Sequence, residues 1–188
     1  LLQFNDMRHT RGSGDAHDYD ADYNCNNTLV QYNFSYDCKG GGFVATCNGE
    51  SSTSFNVNAT YRYNISVNDG WRSGNGHSVY LNGKITETKV YNNTFYVGSG
   101  ITTYAIEVNN WGGPWPDGSF VANNIWHVDG TATFNDVTKM TNYTITHNIY
   151  HGNIPVRSEG PNPLTGDPLL VNPGTQVDND HRIASGSP

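Results

Sequence analysis

Charged residues are scarce in this sequence of 188 residues, at 14% of the chain, with 10 Lys and Arg against 17 Asp and Glu. The net charge is −7 and no basic stripe is present to neutralise phosphates, so we expect no nucleic-acid partner. No apolar run approaches membrane-spanning length, and we therefore expect no membrane insertion. Amphipathic stretches of ten residues are also missing, which argues against helical bundles and helical repeats.

Gly and Asn are abundant instead, as in proteins made of short strands and many turns. The length fits one domain with a sizeable core. The stretch from residue 18 to 24 alternates like a strand, and alternate side chains of a strand face opposite ways. We therefore expect its carboxylates on one face and its apolar side chains on the other: Asp18, Asp20 and Asp22 against Tyr19, Ala21 and Tyr23.

Four later stretches repeat this strand, and each ends in Asn. The residues one before that Asn form an inward column: Tyr23, Cys47, Leu81, Val108 and Phe134. The residues three before it form a second inward column: Ala21, Ala45, Val79, Ile106 and Ala132. The residues between them are mostly polar and are expected to face solvent: Asp22, Thr46, Tyr80, Glu107 and Thr133.

A second series of asparagines follows β-forming residues at spacings of 28, 31, 29, 31 and 24 residues: Asn5, Asn33, Asn64, Asn93, Asn124 and Asn148. This period is typical of a solenoid. Each unit offers about three short strands, which favours one coil of a parallel β-helix over a propeller blade. Asn tolerates the left-handed backbone at coil corners, and its amide can bond the Asn of the next coil. We therefore predict an asparagine ladder inside the coil.

The chain resembles right-handed parallel β-helix proteins of the pectin lyase-like superfamily. The resemblance rests on two strand–corner segments, 90–95 and 121–125, and on a tail that reads DPLLVNP at 167–173 and RIASGSP at 182–188, an ending that looks like that of secreted members. It implies an all-β, single-stranded right-handed parallel β-helix of about five to six coils with an irregular C-terminal tail. Members include hydrolases, lyases and noncatalytic adhesins, so the fold does not choose a reaction.

The chain divides into two parts by composition. Residues 1–153 are expected to form the β-helix coils. Residues 154–188 hold six of the eight prolines, and we expect this Pro-rich tail to pack on the helix. The N-terminal residues lack a signal-peptide pattern, so we expect a mature piece or a fragment of a longer protein.

The outward acidic strand is the candidate catalytic site. Residues two apart on one strand face are separated by roughly 6.6–7 Å at Cα. Glycosidases need paired carboxylates about 5–5.5 Å apart for retention or roughly 6.5–9.5 Å apart for inversion. Asp20 and Asp22 are thus the candidate acid and base or nucleophile of a polysaccharide-degrading glycoside hydrolase, which needs no cofactor. The alternative from another class is a noncatalytic carbohydrate-binding or adhesin-like segment, in which this strand is only a solvated acidic surface.

Calcium offers a further interpretation of the same strand. Asp-x-Asp-x-Asp-x-Asn supplies the oxygen ligands that Ca²⁺ prefers, although Tyr23 and Leu29 stand where an EF-hand needs Gly and Glu. Several β-helix lyases of the resembled superfamily hold Ca²⁺ on this sheet beside a Lys or Arg base. A calcium-dependent polysaccharide lyase, with Arg72, Lys84 or Lys39 as base, is therefore the second enzymatic alternative.

Side chains around this strand are expected to contact a sugar chain. Asp18, Tyr80 and Glu107 lie on the same predicted face, and Arg72 lies near a predicted loop. Trp111 and Trp115 interrupt the fourth unit in a loop, where binding residues concentrate, and exposed indoles stack on sugar rings. His77 falls on an inward column and is interpreted as a core residue.

Cysteines and sequons bear on the compartment. Three cysteines allow at most one internal disulfide, and with Cys47 in an inward column the pair to test is Cys25 with Cys38. Asn-x-Ser/Thr sequons predict a secreted protein with N-glycans and begin at Asn26, Asn33, Asn58, Asn64, Asn92 and Asn142.

Overall fold

The computed structural model describes residues 1–47, 53–72, 76–155, 158 and 160–187. Asn48 and Pro188, which belong to the sequence patterns above, lie outside these ranges. In chain order the strands are β1 (Leu2–Gln3), β2 (Asp6–Arg8), β3 (His17–Ala21), β4 (Cys25–Asn26), β5 (Leu29–Gln31), β6 (Phe34–Tyr36), β7 (Gly41–Cys47), β8 (Asn56–Val57), β9 (Thr60–Arg62), β10 (Ile65–Val67), β11 (His77–Gly83), β12 (Ile85–Thr86), β13 (Lys89–Tyr91), β14 (Thr94–Val97), β15 (Thr102–Asn109), β16 (Phe120–Ala122), β17 (Ile125–Val128), β18 (Thr131–Asn135), β19 (Thr144–Thr146) and β20 (Ile149–Gly152). Two short 3-10 helices span Val137–Lys139 and Asp178–His181.

The strands form four sheets, which the chain visits in rotation. Sheet A has the order β1-β5-β9-β13-β16-β19, and sheet B has β2-β6-β10-β14-β17-β20. Sheet C has the order β18-β15-β11-β7-β3, and the small sheet D has β12-β8-β4. Pairing between these strands is parallel throughout the described ranges. The all-β expectation is confirmed, and the arrangement is that of a parallel β-solenoid.

The predicted asparagine ladder runs between sheets A and B. Each Asn side-chain oxygen accepts bonds from both the backbone N–H and the side-chain amide of the Asn one coil earlier, at 2.9–3.0 Å. Asn33, Asn64, Asn93, Asn124 and Asn148 are at most 3% exposed. The ladder therefore satisfies polar groups that would otherwise be buried without partners.

The left-handed backbone at this corner belongs to the residue before each ladder Asn, not to the Asn itself. The φ angles lie between 53° and 57° at Phe4, Tyr32, Tyr63, Asn92, Asn123 and His147. Aromatic residues adopt this conformation rarely. Here their rings stack along the outside of the tube, with Phe4 on Tyr32 at 5.5 Å and Tyr32 on Tyr63 at 5.2 Å.

The core is one apolar column inside the tube, with stacked rings along its length. Tyr19 stacks on Phe43 at 5.4 Å, and Trp126 lies between Phe95 at 4.9 Å and Tyr150 at 5.6 Å. Inward positions of sheet C join it, among them Val79, Leu81, Ile106 and Val108. By alternation, the residues between these inward positions face outward.

The strand register corrects part of the predicted columns. Val79 pairs with Ile106 and Leu81 with Val108, as expected, but Ala45 pairs with Leu81 rather than Val79. Phe134 pairs with Ile106, beside a bulge in the ladder. Tyr23 is 40% exposed and lies outside the core, because β3 ends at Ala21. Alignment of the strands by their final Asn therefore gave the correct register for β11 with β15. It gave a register shifted by two residues for β7 with β11 and for β15 with β18.

The C-terminal segment contacts the solenoid at two places. Leu164 forms a parallel bridge with Ile149 of β20, and its N–H donates to the Asn148 carbonyl at 2.9 Å. Farther along, His181 is buried with its ring 5.9 Å from Phe34 and 6.4 Å from Tyr96, both on the outer side of sheet B. One part of the segment thus extends the last coil, and the other covers a sheet face.

Cysteine pairing and two of the predicted glycosylation sites are corrected. Cys25 and Cys38 are free cysteines, so the expected Cys25–Cys38 disulfide is wrong. Asn33 and Asn64 are buried ladder members whose amides are bonded inside the tube, so these two sequons are inaccessible in the folded chain. Within the described ranges, no helical segment is long and apolar enough to cross a bilayer.

Replacing a central ladder residue tests how much the ladder stabilises the fold. Asn93→Ala would leave the N–H and the side-chain amide of Asn64 without their acceptor and would remove one donor to the Tyr61 carbonyl. Because each buried unpaired group costs about 1–3 kcal/mol, we expect the free energy of unfolding to fall by about 2–4 kcal/mol in urea titrations. The matched control Asn26→Ala, at an exposed strand position, should change it by less than about 0.5 kcal/mol. Equal effects of the two variants would contradict a stabilising role for the ladder.

Candidate functional site

The acidic strand β3 is the edge strand of sheet C, next to β7. Tyr19 and Ala21 are buried, at 2% and 1% exposure, whereas Asp20 and the following Asp22 are exposed. The local sequence dictates this alternation, because the apolar side chains fill the core and push the polar ones outward. Two carboxylates from neighbouring outward positions thus reach solvent at one edge of the sheet.

The register places Asp20, not Asp22, in the row of outward residues that crosses sheet C. Asp20 pairs with Val44, Val44 with Tyr80, and Tyr80 with Glu107. The predicted row of Asp22, Thr46, Tyr80 and Glu107 is corrected accordingly. Most of this outer face is covered, since Val44, Tyr80 and Glu107 are at most 5% exposed. Of these four residues, Asp20 alone is exposed.

Two histidines link the exposed carboxylate to the buried one. His17 Nδ1 lies 3.5 Å from Asp20 Oδ2, and His17 Nε2 lies 3.1 Å from His77 Nε2. His77 Nδ1 lies 3.1 Å from Glu107 Oε2. Asp20 and Glu107 are three strands apart, roughly 14 Å at Cα, and the two imidazoles bridge that gap.

Gly41 provides the space for this contact. It pairs with His17 on one side and with His77 on the other, so the two histidines are two strands apart. A Cβ at position 41 would lie 2.5 Å from His77 Cδ2. The missing side chain therefore allows the two rings to meet over the intervening strand.

Burial and charge shift the protonation of this cluster. Partial burial raises the pKa of the Asp22 carboxyl, and the charges of Asp20 and Asp15 raise it further. Burial lowers the pKa of His77, although its bond to Glu107 opposes the shift. The site thus combines a carboxyl that favours its proton with an imidazole that favours its neutral form.

Asp18 does not share the outer face with Asp20 and Asp22. Its Oδ1 accepts from Thr10 Oγ1 at 2.8 Å, and its Oδ2 accepts from Ser35 Oγ at 2.7 Å and from the Cys38 thiol. These partners hold it at the inner corner between sheets B and C. The expected row of three outward carboxylates is therefore corrected to two.

Asp69 completes this inner corner. Ligand atoms of Asp18, Cys38 and Asp69 lie within 4.8 Å of one another. Asp69 Oδ1 accepts from the Cys38 N–H at 2.9 Å and its Oδ2 from Ser66 Oγ at 2.6 Å. Burial, together with the charge of Asp18, raises the pKa of Asp69 to about 7. Hydroxyl, thiol and amide donors already satisfy both carboxyls, so the corner is a hydrogen-bonded acid pair with a structural role.

The remaining predicted sugar contacts divide into accessible and covered ones. Trp111 is 43% exposed and lies edge-on to Tyr80 at 6.2 Å, so it is accessible beside the outer face of sheet C. Trp115 packs against the core with Lys139 over its ring, and Tyr80 is buried against His77. The Arg72 guanidinium donates to the Gly14 carbonyl. The structure thus brings Tyr80, Glu107 and Trp111 together two to three strands away from Asp20, and it turns Trp115 inward.

A cleft of about 680 Å³ lies on another part of the surface. It is bordered by the external rings of Phe4, Tyr32 and Tyr63 and by residues 176–178 of the C-terminal segment. Neither Asp20 nor Asp22 lines it. The two exposed carboxyls therefore lie outside this cleft.

Sequence reasoning missed His17. It interpreted His77 as a core residue, and His77 is indeed buried, at 2% exposure, with a partner for each ring nitrogen. Both fall on the inward parity of their strands, which predicts core positions, yet they lie at strand ends where the corner turns them toward Tyr80 and Glu107. The available signal was a glycine opposite two histidines in the same column, which required the register to be known.

Comparison with known proteins gives one partial similarity. Over 96 residues, half of the chain, the sequence is 41% identical to a lacto-N-biosidase of Bifidobacterium longum subsp. longum. The match covers 5% of the length of that protein. No family model and no solved structure matches the chain. The similarity is a coarse indication of carbohydrate activity, because the relative is a glycoside hydrolase.

The inner corner predicts a pH dependence of stability. The Asp69 pKa rises from about 3.8 to about 7 on folding, so the folded state binds a proton more tightly than the unfolded state. The free energy of unfolding should therefore fall as pH rises from about 4 to about 7, by up to about 4 kcal/mol from this group.

Asp69→Asn keeps an acceptor for the Cys38 N–H and removes the charge. In thermal or urea unfolding, this variant should gain stability relative to the parent at pH 8 and lose that advantage at pH 4. Asp136→Asn, at an exposed carboxyl, serves as the control. Parallel stability curves for parent and Asp69→Asn would contradict the assignment.

Proposed function

We propose that the chain is part of a secreted glycoside hydrolase that acts on an oligosaccharide or polysaccharide. We further propose that it is a right-handed parallel β-helix of about five to six coils within the pectin lyase-like superfamily. Parallel crossover connections are nearly always right-handed, which supports the handedness. The partial similarity to a glycoside hydrolase supports the reaction class.

The observation that carries the proposal is the pair of exposed carboxyls on the β3 edge with different surroundings. Asp22, with its raised pKa, acts as the general acid that protonates the leaving oxygen. Asp20 lies against His17 and acts as the nucleophile or as the base for water. Their spacing of roughly 6.6–7 Å at Cα is compatible with either glycosidase geometry, since side-chain rotation adjusts the oxygens.

Trp111 supplies an exposed aromatic surface for a sugar ring beside Tyr80, on the same outer face of sheet C as Asp20. Arg72 and the buried Tyr80 and Glu107 influence Asp20 through the groups that surround it. Under this proposal the covered outer face of sheet C limits the substrate to the β3 edge, so the bound sugar chain contacts few residues.

A calcium-dependent lyase is the alternative enzymatic proposal, with Asp20 and Asp22 as two of the oxygen ligands. Loss of activity with a chelator and unsaturated products that absorb ultraviolet light would support it over hydrolysis. A noncatalytic carbohydrate-binding segment predicts sugar binding without any cleavage.

Charge removal at the two carboxyls tests the hydrolase. Asp20→Asn and Asp22→Asn should each lower kcat/KM on a cleaved glycan by about 10²–10⁴-fold, because each removes an acid–base or nucleophilic group. The experiment screens neutral and acidic oligosaccharides by product analysis and then assays the variants on the substrate found.

Asp136→Asn is the matched control and should keep parent activity. Asp15→Asn is a second arm, because the charge of Asp15 also reaches Asp22. Loss of activity in Asp15→Asn with full activity in Asp20→Asn would transfer the role to Asp15. Unchanged activity in both Asp20→Asn and Asp22→Asn would refute the proposed site.

The raised pKa of Asp22 gives a pH prediction. The general acid must carry its proton, so kcat/KM should fall as pH rises through the Asp22 pKa, above the usual aspartate value of about 3.9. Asp22→Asn should lose this alkaline limb and retain activity on an aryl glycoside whose leaving group needs no protonation. A retained limb in Asp22→Asn would assign the acid to another group.

A further inference from the structure

We infer that His17 is a positioning residue for Asp20, held by hydrogen bonds through His77 to Glu107 that leave one proton shared between His17 Nδ1 and Asp20. This inference deepens the proposed function and rests on it only where activity is concerned. The proton arrangement follows from the geometry of the four side chains.

The hydrogen-bonded series of side chains begins at the buried Glu107, which is 5% exposed. An ionised carboxylate only accepts hydrogen bonds, so the His77 nitrogen at 3.1 Å must carry the proton. His77 is therefore protonated on Nδ1. In the neutral form that its burial favours, its Nε2 is then an acceptor.

The contact between the two histidines determines the protonation of His17 Nε2. Two Nε2 atoms 3.1 Å apart need one proton between them, since two donors or two acceptors would repel. With His77 Nε2 as the acceptor, His17 Nε2 must donate. The buried Glu107 thus determines, through His77, which nitrogen of His17 bears a proton.

The last contact leaves a proton to be placed. His17 is nine-tenths buried, and its Nδ1 makes no hydrogen bond although it points toward Asp20 Oδ2 at 3.5 Å. A bare Nδ1 and an ionised Asp20 would be two acceptors facing each other. One proton therefore resides on this pair, either on His17 as imidazolium or on Asp20 as the acid.

An aromatic ring and several charged groups surround this pair. Tyr80 stacks on His77 at 4.3 Å and lies 6.4 Å from His17. The charged groups that face the cluster are Asp15 and Asp22 on the β3 side and Arg72 beside His77. Burial and the charge of Arg72 lower the pKa of His77, so the proton does not reside on His77.

The shared proton has a consequence for the proposed hydrolase. On Nδ1 it makes His17 a cation that orients an ionised Asp20, which is the form required of a nucleophile or base. The 3.5 Å separation shortens to a hydrogen bond when a substrate excludes water, as catalytic contacts commonly do. His17 thereby acts through Asp20 and does not touch the sugar.

Imidazole nitrogen spectra test the proton arrangement directly. The full chain is labelled with ¹⁵N-histidine, and long-range proton–nitrogen NMR spectra are recorded near neutral pH, with assignments from His17→Gln and His77→Gln. We expect a proton on Nδ1 and none on Nε2 of His77, and a proton on Nε2 of His17. A proton on Nε2 of His77, or a bare Nε2 on His17, would overturn the inference.

Substitutions at the two ends of the hydrogen-bonded series, Glu107 and Asp20, test the proton arrangement. Glu107→Gln, which can donate as well as accept, should abolish the fixed tautomer of His77, and Glu87→Gln at an exposed position should leave it unchanged. Asp20→Ala should shift the Nδ1 signal of His17 and leave the His77 signals in place. If Glu107→Gln fails to fold, Asp20→Ala alone decides, because an unchanged Nδ1 signal of His17 would refute proton sharing.

Activity separates positioning from a merely structural role. On a cleaved glycan, Glu107→Gln should lower kcat by about 10-fold, less than removal of Asp20 itself, with KM within about twofold and a changed pH profile. An unchanged pH profile would contradict positioning. If no glycan is cleaved by the parent chain, the hydrolase proposal fails, and the spectra still decide the proton arrangement.

Discussion

The structure depends on a backbone constraint that recurs once per coil. At the corner between sheets A and B a residue adopts a left-handed conformation, and the following Asn points into the tube. There its amide donates to the equivalent Asn of the next coil at 2.9–3.0 Å, and the central members also donate to a backbone carbonyl of the preceding coil. Because each amide is satisfied by its neighbour, the coils cannot shift past one another without leaving several buried polar groups unpaired. The ladder therefore fixes the register of sheets A and B.

The fixed register makes contacts between side chains that are distant in sequence. His17 and His77 are 60 residues apart and meet because Gly41, on the strand between them, has no side chain. In a solenoid, a glycine in one column leaves space for the side chains of its neighbours in the coils on both sides. On the outer face of sheet C, the two histidines occupy that space and connect an exposed carboxylate with a buried one. The residues between these carboxylates do not form a continuous row of polar side chains.

The sequence carried enough information for the ladder and the fold class, but not for the site. The six ladder asparagines recur at a nearly constant period, and the burial of five of them requires this residue type, so the sequence pattern predicted the ladder. The strands of sheet C lack such a marker. Their final Asn residues are not equivalent, since Asn82 pairs with Thr46 and Asn109 whereas Asn135 pairs with Glu107. An alignment error of two residues preserves the inward and outward faces but changes which outward residues are neighbours, and this displaced Asp22 into the row that belongs to Asp20.

The charge balance of the β3 edge explains why imidazoles occupy this position. Asp15, Asp20 and Asp22 surround an edge whose nearby cation, Arg72, is bound to a backbone carbonyl. A lysine in place of His17 would neutralise Asp20 permanently and would also favour ionisation of Asp22, which the proposed mechanism requires as an acid. An imidazole whose second nitrogen is held by His77 and Glu107 can share a proton with Asp20 without a fixed positive charge. Under the proposed function, the buried side of the site thus acts on Asp20 through His17, whereas Asp22 on the same exposed strand depends on its own surroundings.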